Sequence, residues 1–395
     1  MDRKLPDAFF ALIGSAVSDK VCLTDEHRST AREQLTSLYE AGKSQNLAHL
    51  LGFSLFQDGL SDLYAPFAEA HTRAVFLHEG LAFETERVSA LLSDAKIPHV
   101  ALKGAVLRDY YPEPWMRTSC DVDVLVHAED FDRAVACFEE NGYQTDVRST
   151  HDVSFYSEGG ILIELHFSLV EKILVPQTHP LLDSVWDYAV PVEGADYAMM
   201  LRDEFFYFYH VAHMAKHFAA GGCGIRSFLD LWILTSIPHD EEARMKLIHE
   251  GGISAFHETA IALCHRWFDG VYTEDPFLDL AEYFVMHGGT YGSVVNHLAL
   301  HMEKYGGRFG YFLHRVFPSY KQMVSIYPFL KKCPPLLPFL WIVRWFSHLF
   351  RGGAKRSLRE MARNQTITPD KRAAFDTMMK ALDLKAEDAP AEEKN

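Results

Sequence analysis

One short stretch, Asp121-Val-Asp-Val-Leu-Val126, constrains the fold of this chain more than any other. Its β-branched and apolar residues favour a strand. Successive strand side chains alternate between the two faces of a sheet, so Asp121 and Asp123 must point the same way. Two neighbouring carboxylates repel each other unless a cation lies between them. The stretch therefore predicts ligands for Mg²⁺, which prefers oxygen, or else two incidental acids on a solvent-facing strand.

A second strand is predicted over Ile161–Leu169, in which the odd-numbered positions from 161 to 167 are all apolar. Glu164 and His166 occupy even positions and therefore share the opposite face. If this strand lies near the first, Glu164 becomes a third carboxylate beside Asp121 and Asp123. Three such acids can hold two Mg²⁺ ions, or Mn²⁺, which orient a triphosphate and activate an attacking hydroxyl. The alternative is an ordinary half-exposed strand.

The elements around these strands predict an α+β fold. The order β-α-β-α-β-β in the central part of the chain describes a small mixed β-sheet with helices on one face. From Leu201 onward helical patterns prevail, including 291–304 and 307–317. The predicted divisions are a helical cap (1–95), the sheet core (96–190), a helical domain (191–330), a basic and apolar helical extension (331–372) and a charged tail with a disordered end (373–395).

Charge and cysteine content limit the classes of function. The formal net charge of −16 argues against nucleic acid as a partner, because basic surfaces supply most of that affinity. The charge is uneven, since residues 331–372 hold ten Lys/Arg against two Asp/Glu. Six cysteines without a C-x-x-C pair indicate neither a disulfide framework nor a zinc site, and they favour a cytoplasmic location.

An apolar and aromatic run lies inside this basic region, at 336–350, between Lys331-Lys332 and Arg351, Lys355 and Arg356. The run is too short for a comfortable membrane span. Its composition is typical of a helix that lies on anionic lipid, which predicts peripheral contact with the inner membrane face through 336–356. The alternative is a core helix packed against the preceding helices.

A third group of polar residues falls on the helix predicted at 201–219 and just after it. His210, His213 and His217 are spaced i, i+3 and i+7, close to one helical stripe. Lys216, His217 and Arg226 are predicted to face phosphates as a second wall of a cleft, with Asp230 tethering Arg226. The alternative is a buried polar network between two helices. His166, His213, His217 and Asp230 are candidates to contact an acceptor or to support the residues that do.

Four motifs occur in the following order along the chain: L-K-G-A-V-L, Y-Y-P-E-P-W-M-R, D-V-D-V-L-V and I-E-L-H-F. Together they resemble the uncharacterised nucleotidyltransferase family of the polymerase β-like superfamily, over roughly residues 65–350. The resemblance implies that the sheet is a nucleotidyltransferase core. It also implies that Asp121 and Asp123 are the metal-binding pair, Glu164 the third carboxylate and Lys103-Gly104 the nucleotide-side loop.

One position departs from the superfamily's usual loop, in which Gly is followed by Gly or Ser. Here Ala105 follows Gly104, so a hydroxyl that could bind a phosphate is missing. Lys103 and Arg117 are expected to supply charge to the phosphates instead. Two alternatives are a plain helix-entry role for Gly104 and a surface ion pair for Arg117.

These patterns predict a Mg²⁺-dependent nucleotidyltransferase that binds a nucleoside triphosphate (NTP). It would transfer the nucleoside monophosphate to an acceptor hydroxyl and release pyrophosphate. Asp121, Asp123 and Glu164 are the predicted catalytic residues, and His166 would orient Glu164 or contact the acceptor. Two rivals are a catalytically inactive member that binds nucleotide or a partner, and a membrane-surface assembly protein in polysaccharide or modified-peptide production.

Overall fold

The computed structural model of the chain describes residues 3–149, 151–170, 175–288, 313, 316–320, 323–324, 327–350 and 369–384. All of the helix predicted at 291–304, most of 307–317, residues 351–368 of the basic extension and the end of the charged tail lie outside these ranges.

The N-terminal region is helical, as the sequence predicts. Its helices are α1 (Lys4–Val17), α2 (Asp25–Glu33), α3 (Leu35–Ser44), α4 (Ala48–Gln57) and α5 (Ala68–Asp94). Thr24 caps α2 by accepting a hydrogen bond from the backbone N–H of His27, which satisfies an otherwise unpaired donor of the first turn. The long α5 leads directly to the sheet.

The sheet region contains ten elements. They are β1 (His99–Ala101), α6 (Gly104–Leu107), β2 (Asp121–Val126), α7 (Phe131–Glu140), β3 (Gln144–Arg148), β4 (Asp152–Tyr156), β5 (Leu162–His166), α8 (His179–Asp183), β6 (Ala189–Pro191) and β7 (Ala198–Leu201). The strands form one sheet in the order β3-β4-β5-β2-β1-β7-β6. The pairs β2–β5 and β1–β7 are parallel and the others antiparallel, so the sheet is mixed and the α+β prediction is confirmed.

The sequence did not predict β6 and β7. Both strands are short, β6 ends in a proline, and Gly194 between them has φ of +78°, so no alternating apolar pattern marks them. Because β7 pairs with β1, the sheet continues past residue 190, where the sequence placed the end of the core.

Alternation along β2 divides the sheet into two faces. Val122, Val124 and Val126 belong to an apolar cluster that includes Phe138 of α7 and residues of α5. Leu125 belongs to the other cluster, which is built mainly from the helical regions. Since Asp121 and Asp123 alternate with the valines, they lie on the face turned away from α5 and α7.

The C-terminal region covers that second face. Its described helices are α9 (Asp203–Ala220), α10 (Ile225–Ser236), α11 (Glu241–Glu250), α12 (Ser254–Phe268), α13 (Pro276–Met286), α14 (Leu337–Phe350) and α15 (Pro369–Ala381). Helix α9 buries side chains around most of its circumference, which is typical of a central helix. In the described part of the chain, no helix has the length and apolar character needed to span a bilayer.

Helix α14 carries the apolar run of the basic region. Leu340 packs in a small cluster with Met323 and Leu330, separate from the two larger ones. By contrast, Phe339 is 61% exposed and Trp345 is 37% exposed. One side of this helix therefore packs against the preceding segment while another presents apolar side chains to solvent, and both interpretations of the apolar run stay predictions.

Candidate active site

The register of two neighbouring strands creates an acidic site. β2 and β5 run parallel, and Asp123 lies directly opposite Glu164, while Asp121 lies opposite Leu162. Paired residues of adjacent strands project to the same face, so the three carboxylates share one side of the sheet. The two strands that the sequence singled out are therefore brought together in the arrangement that a shared site requires.

Asp123 is the centre of the site and is buried, with 3% of its side chain exposed. Its Oδ1 atom accepts hydrogen bonds from Lys103 Nζ at 2.8 Å and from His166 Nε2 at 2.9 Å. His166 Nε2 also lies 3.6 Å from Glu164 Oε2. Potential ligand atoms of Asp123, Glu164 and His166 all fall within 4.8 Å of one another. Asp121 lies outside this group of three.

Electrostatics differ among the three acids. Burial alone would raise the pKa of Asp123, but the Lys103 ammonium and the bond from His166 outweigh it and hold the pKa below its usual range. Burial and the charge on Asp123 raise the pKa of Asp121. The same two causes raise the pKa of Glu164 to about 7. The site thus holds more negative charge than its neighbours neutralise, which favours binding of a cation.

Lys103 reaches Asp123 from a strained backbone. Its φ is +45° and its ψ is −115°, a conformation that non-glycine residues rarely adopt. The residue lies between β1 and α6, where the chain turns sharply out of the sheet. The turn aims the ammonium group at the acidic site instead of leaving it at the surface.

Gly104 is required by a close approach of Ser119. A Cβ atom at residue 104 would lie 3.0 Å from both Cβ and Oγ of Ser119, which is tighter than most contacts allow. The Ser119 hydroxyl therefore stands beside the loop where Ala105 provides none. Sequence reasoning missed Ser119, although a polar residue two positions before Asp121 was a signal that could have identified it.

Arg117 and Asp230 form a buried ion pair. Arg117 donates from Nε and Nη2 to the Asp230 carboxylate at 2.9 Å each, and Tyr111 donates its hydroxyl to Oδ1 at 2.7 Å. We expected Asp230 to tether Arg226, but the side-chain hydrogen bonds described for Asp230 come from Arg117 and Tyr111. Arg226 donates instead from Nη1 to the Thr118 carbonyl at 2.6 Å. The alternative of a surface ion pair for Arg117 is wrong, because its side chain is 7% exposed.

Helix α9 supplies the opposite wall. His213 Nε2 lies 3.0 Å from His217 Nε2, so one ring donates a hydrogen bond to the other. His210 Nε2 donates to the carbonyl of Ser227 at 3.0 Å. Burial and then the charges of Lys103 and Lys216 hold the pKa of His213 well below its usual range. This wall is therefore positive and lies against the acidic face of the sheet.

A cavity of about 340 Å³ lies between these walls. Most residues predicted from the sequence line it, and it also includes Tyr209, Phe206 and Ser119, which were not predicted. The predicted members are Lys103, Gly104, Arg117, Asp121, Asp123, Glu164, His213, Lys216, His217 and Arg226. His166 and Asp230 are not part of this lining, and they contact it through Asp123 and Arg117 respectively.

No curated protein matches the chain. One solved structure that matches is the antibiotic-resistance factor ANT(2'')-Ia, with 12% identity over 48% of this chain and 97% of the other, at a TM-score of 0.33. Another is an antigenic nucleotidyltransferase-like protein from Paracoccidioides brasiliensis, with 14% identity over 56% and 95%, at a TM-score of 0.31.

The model of one protein family matches residues 32–269, more than half of the chain, and its description is "Uncharacterised nucleotidyltransferase". This range includes the whole sheet, the acidic site and the wall formed by α9 and α10. The family that the four motifs indicated is thereby confirmed. The chain belongs to the uncharacterised nucleotidyltransferase family, and its fold is of the nucleotidyltransferase type.

Proposed function

We propose that the chain is a Mg²⁺-dependent nucleotidyltransferase. An acceptor hydroxyl attacks the α-phosphorus of an NTP, a new P–O bond forms, and the bond to the bridging oxygen breaks. The products are the nucleotidylated acceptor, pyrophosphate and the proton of the hydroxyl. The observation that carries this proposal is the register of β2 and β5, which aligns Asp123 with Glu164 on the face shared with Asp121.

The donor set fits a hard divalent cation. Carboxylate oxygens of Asp121, Asp123 and Glu164 are the ligands that Mg²⁺ prefers, and they suit Mn²⁺ as well. Asp123 stays ionised because its pKa is lowered, so it offers a charged oxygen at neutral pH. When bound, two such ions would neutralise charge that develops on the triphosphate.

The surrounding residues would position the nucleotide. Lys103, Lys216 and Arg226 line the cavity and supply positive charge for the phosphates. Gly104 allows close backbone approach at the start of α6, beside the Ser119 hydroxyl. Both Nε and Nη2 of Arg117 are engaged by Asp230. We therefore assign Arg117 to holding the loop before β2, in place of the direct phosphate contact expected from the sequence.

The acceptor proton would pass to a carboxylate oxygen of Asp123 or Glu164. Glu164 suits this role by its place beside Asp123, on the face that the acceptor would approach. Its pKa of about 7 belongs to the metal-free site, and a bound cation would lower that pKa so that Glu164 is ionised at neutral pH. His166 donates to Asp123 and lies 3.6 Å from Glu164, so it would orient both acids.

The test uses NTP binding and pyrophosphate release. Calorimetric titration of ATP, GTP, CTP and UTP, with and without Mg²⁺, should show binding that Mg²⁺ strengthens. Replacing both acids, Asp121→Asn with Asp123→Asn, should remove the Mg²⁺ effect and any pyrophosphate release. Asp132→Asn is the matched control, because the Asp132 side chain is 94% exposed and lies on α7, on the other face. Undiminished pyrophosphate release by the double variant would refute the proposal. Nucleotide binding that does not depend on Mg²⁺, without pyrophosphate release, would support the alternative of a catalytically inactive family member.

A second function, attachment to a membrane surface, is favoured by α14. The exposed Phe339, Ile342 and Trp345 recur on this helix after the exposed Lys331 and Lys332. Apolar side chains next to basic ones suit the surface of an anionic bilayer. We propose a cytoplasmic protein that binds the inner membrane face peripherally, as an assembly enzyme would.

Co-sedimentation with vesicles of phosphatidylserine and phosphatidylcholine tests this attachment. Phe339→Glu should weaken binding, and so should added salt, because both apolar burial and charge contribute. Phe76→Glu is the control, since Phe76 is 81% exposed on α5, away from the basic region. Failure of the wild-type chain to sediment with these vesicles at low salt would exclude the attachment.

A further inference from the structure

A second, much smaller cavity of about 30 Å³ adjoins the first. The two share four lining residues, Lys103, Tyr209, His213 and Lys216. The smaller cavity, called here the side chamber, is completed by residues at the end of β5 and around the start of α8, together with one residue before β4 and one more of α9. These residues are His151, His166, Ser168, Leu169, Thr178, His179, Leu182 and Ala212.

The side chamber has a different charge from the main cavity. Its described lining contains two lysines, four histidines and three hydroxyl groups, and no carboxylate among them. The main cavity, in contrast, contains Asp121, Asp123 and Glu164. Three carboxylates lie behind this lining: Asp123 accepts from both Lys103 and His166, Glu164 Oε2 lies 3.6 Å from His166 Nε2, and Asp152 Oδ1 lies 3.4 Å from His151 Nε2. The chamber therefore suits an anion better than a cation.

Supporting evidence for a positive potential comes from His213, which lines both cavities. After burial, the charges of Lys103 and Lys216 are the next causes that lower its pKa. The ring stays neutral at pH 7 and can donate a hydrogen bond without adding a charge. A bound anion would thus find two ammonium groups together with neutral donors.

The His166 ring lies between the side chamber and the acidic site of the main cavity. Its ring lines the side chamber, while its Nε2 donates to Asp123 Oδ1 in the acidic site. A molecule with an anionic group in the chamber can extend past this ring and bring a hydroxyl to Asp123 and Glu164. That is the position from which an acceptor would attack.

We infer that the side chamber binds an anionic group of the acceptor, a phosphate or a carboxylate, so that the acceptor is a small acidic alcohol. The acceptor role rests on the proposed function, whereas binding of the anion does not. In the transfer step the hydroxyl forms the new P–O bond and the anionic group only anchors the molecule. A strongly cationic acceptor is disfavoured by the same charges.

Binding of small probes in metal-free buffer tests the inference without any turnover. Titrations of glycerol 3-phosphate, glycerate and glycerol, followed by calorimetry, compare a phosphate, a carboxylate and a neutral alcohol. His179→Leu removes a donor that lines only the side chamber, and His179→Gln retains one. Arg226→Met alters only the main cavity and is the matched control.

At least one of the two anionic probes should bind while glycerol does not, and the tighter one identifies the anionic group. His179→Leu should weaken that probe about threefold to tenfold, with His179→Gln and Arg226→Met near wild type. The inference is overturned if neither anion binds at high millimolar concentration, if glycerol binds equally well, or if Arg226→Met weakens the probe as much as His179→Leu. ATP titrated against the same variants reports separately on the proposed function, because loss of ATP binding would leave the anion result standing.

Discussion

Asp230→Ala is the substitution whose effect follows most directly from the structure. The Asp230 side chain is fully buried, and it accepts bonds from both Nε and Nη2 of Arg117 and from the hydroxyl of Tyr111. Burial alone would raise the pKa of Asp230, but the Arg117 charge and these bonds lower it, so the pair is ionised. Removing the carboxylate leaves a buried guanidinium and a buried phenol without their acceptor.

The expected cost can be stated from these contacts. Breaking a buried ion pair by removing one partner costs about 3–5 kcal/mol. The orphaned Tyr111 hydroxyl adds about 1–3 kcal/mol, although two neighbouring losses rarely add in full. We therefore expect the free energy of unfolding to fall by about 4–6 kcal/mol, measured by guanidinium chloride denaturation followed by circular dichroism.

Two comparisons make this prediction specific. Asp62→Ala removes an exposed partner of Arg32 and should leave the free energy of unfolding nearly unchanged. The apolar pair Arg117→Met with Asp230→Leu should recover much of the loss, because no uncompensated charge remains buried. A loss for Asp230→Ala no larger than that for Asp62→Ala would refute the reasoning.

Three further predictions follow from buried and strained groups. Burial lowers the pKa of His49 to about 4. The free energy of unfolding of the wild type should therefore fall by up to about 3 kcal/mol as the pH drops from about 6.5 to 4. Denaturation curves of His49→Gln should show a weaker dependence on pH over this range. Because the pKa of Glu164 is raised to about 7, metal-free Glu164→Gln should be more stable than wild type at pH 8, by up to about 3 kcal/mol. That difference should vanish below pH 4.5, and Mg²⁺ should stabilise only the wild type. Lys103→Gly should relieve about 1–3 kcal/mol of backbone strain but weaken NTP binding in titrations. The control variant Lys43→Gly should leave NTP binding unchanged.

The acidic site was predictable because its signal is local. The spacing of Asp121 and Asp123 within a strand determines their common face, and the same alternation applies to Glu164 and His166. The parallel pairing that aligns the two strands was expected only in general terms. Its register follows from the valines of β2 and the apolar residues of β5 that face Phe138, because a shift by one residue would expose them.

Partners distant in the sequence were less predictable. Asp230 pairs with Arg117, although Arg226 is nearer in sequence, because the side chains meet only after α10 packs beside the loop before β2. Nothing in the local pattern around residue 230 distinguishes the two arginines. Ser119 was overlooked for a similar reason, since its approach to Gly104 depends on how two loops fold against each other.

The positive φ of Lys103 has a consequence for how members of the family should differ in sequence at this position. Glycine would occupy that conformation without strain, so we expect a lysine there to be retained only while its ammonium group serves Asp123 or an anion in the cavities that it lines. In a relative that has lost Asp123 and no longer binds nucleotide or acceptor, drift towards glycine at this position should follow, because no contact then opposes the gain in stability. Aligned relatives should therefore change the two positions together, and such paired changes would separate working enzymes from descendants that keep only the fold.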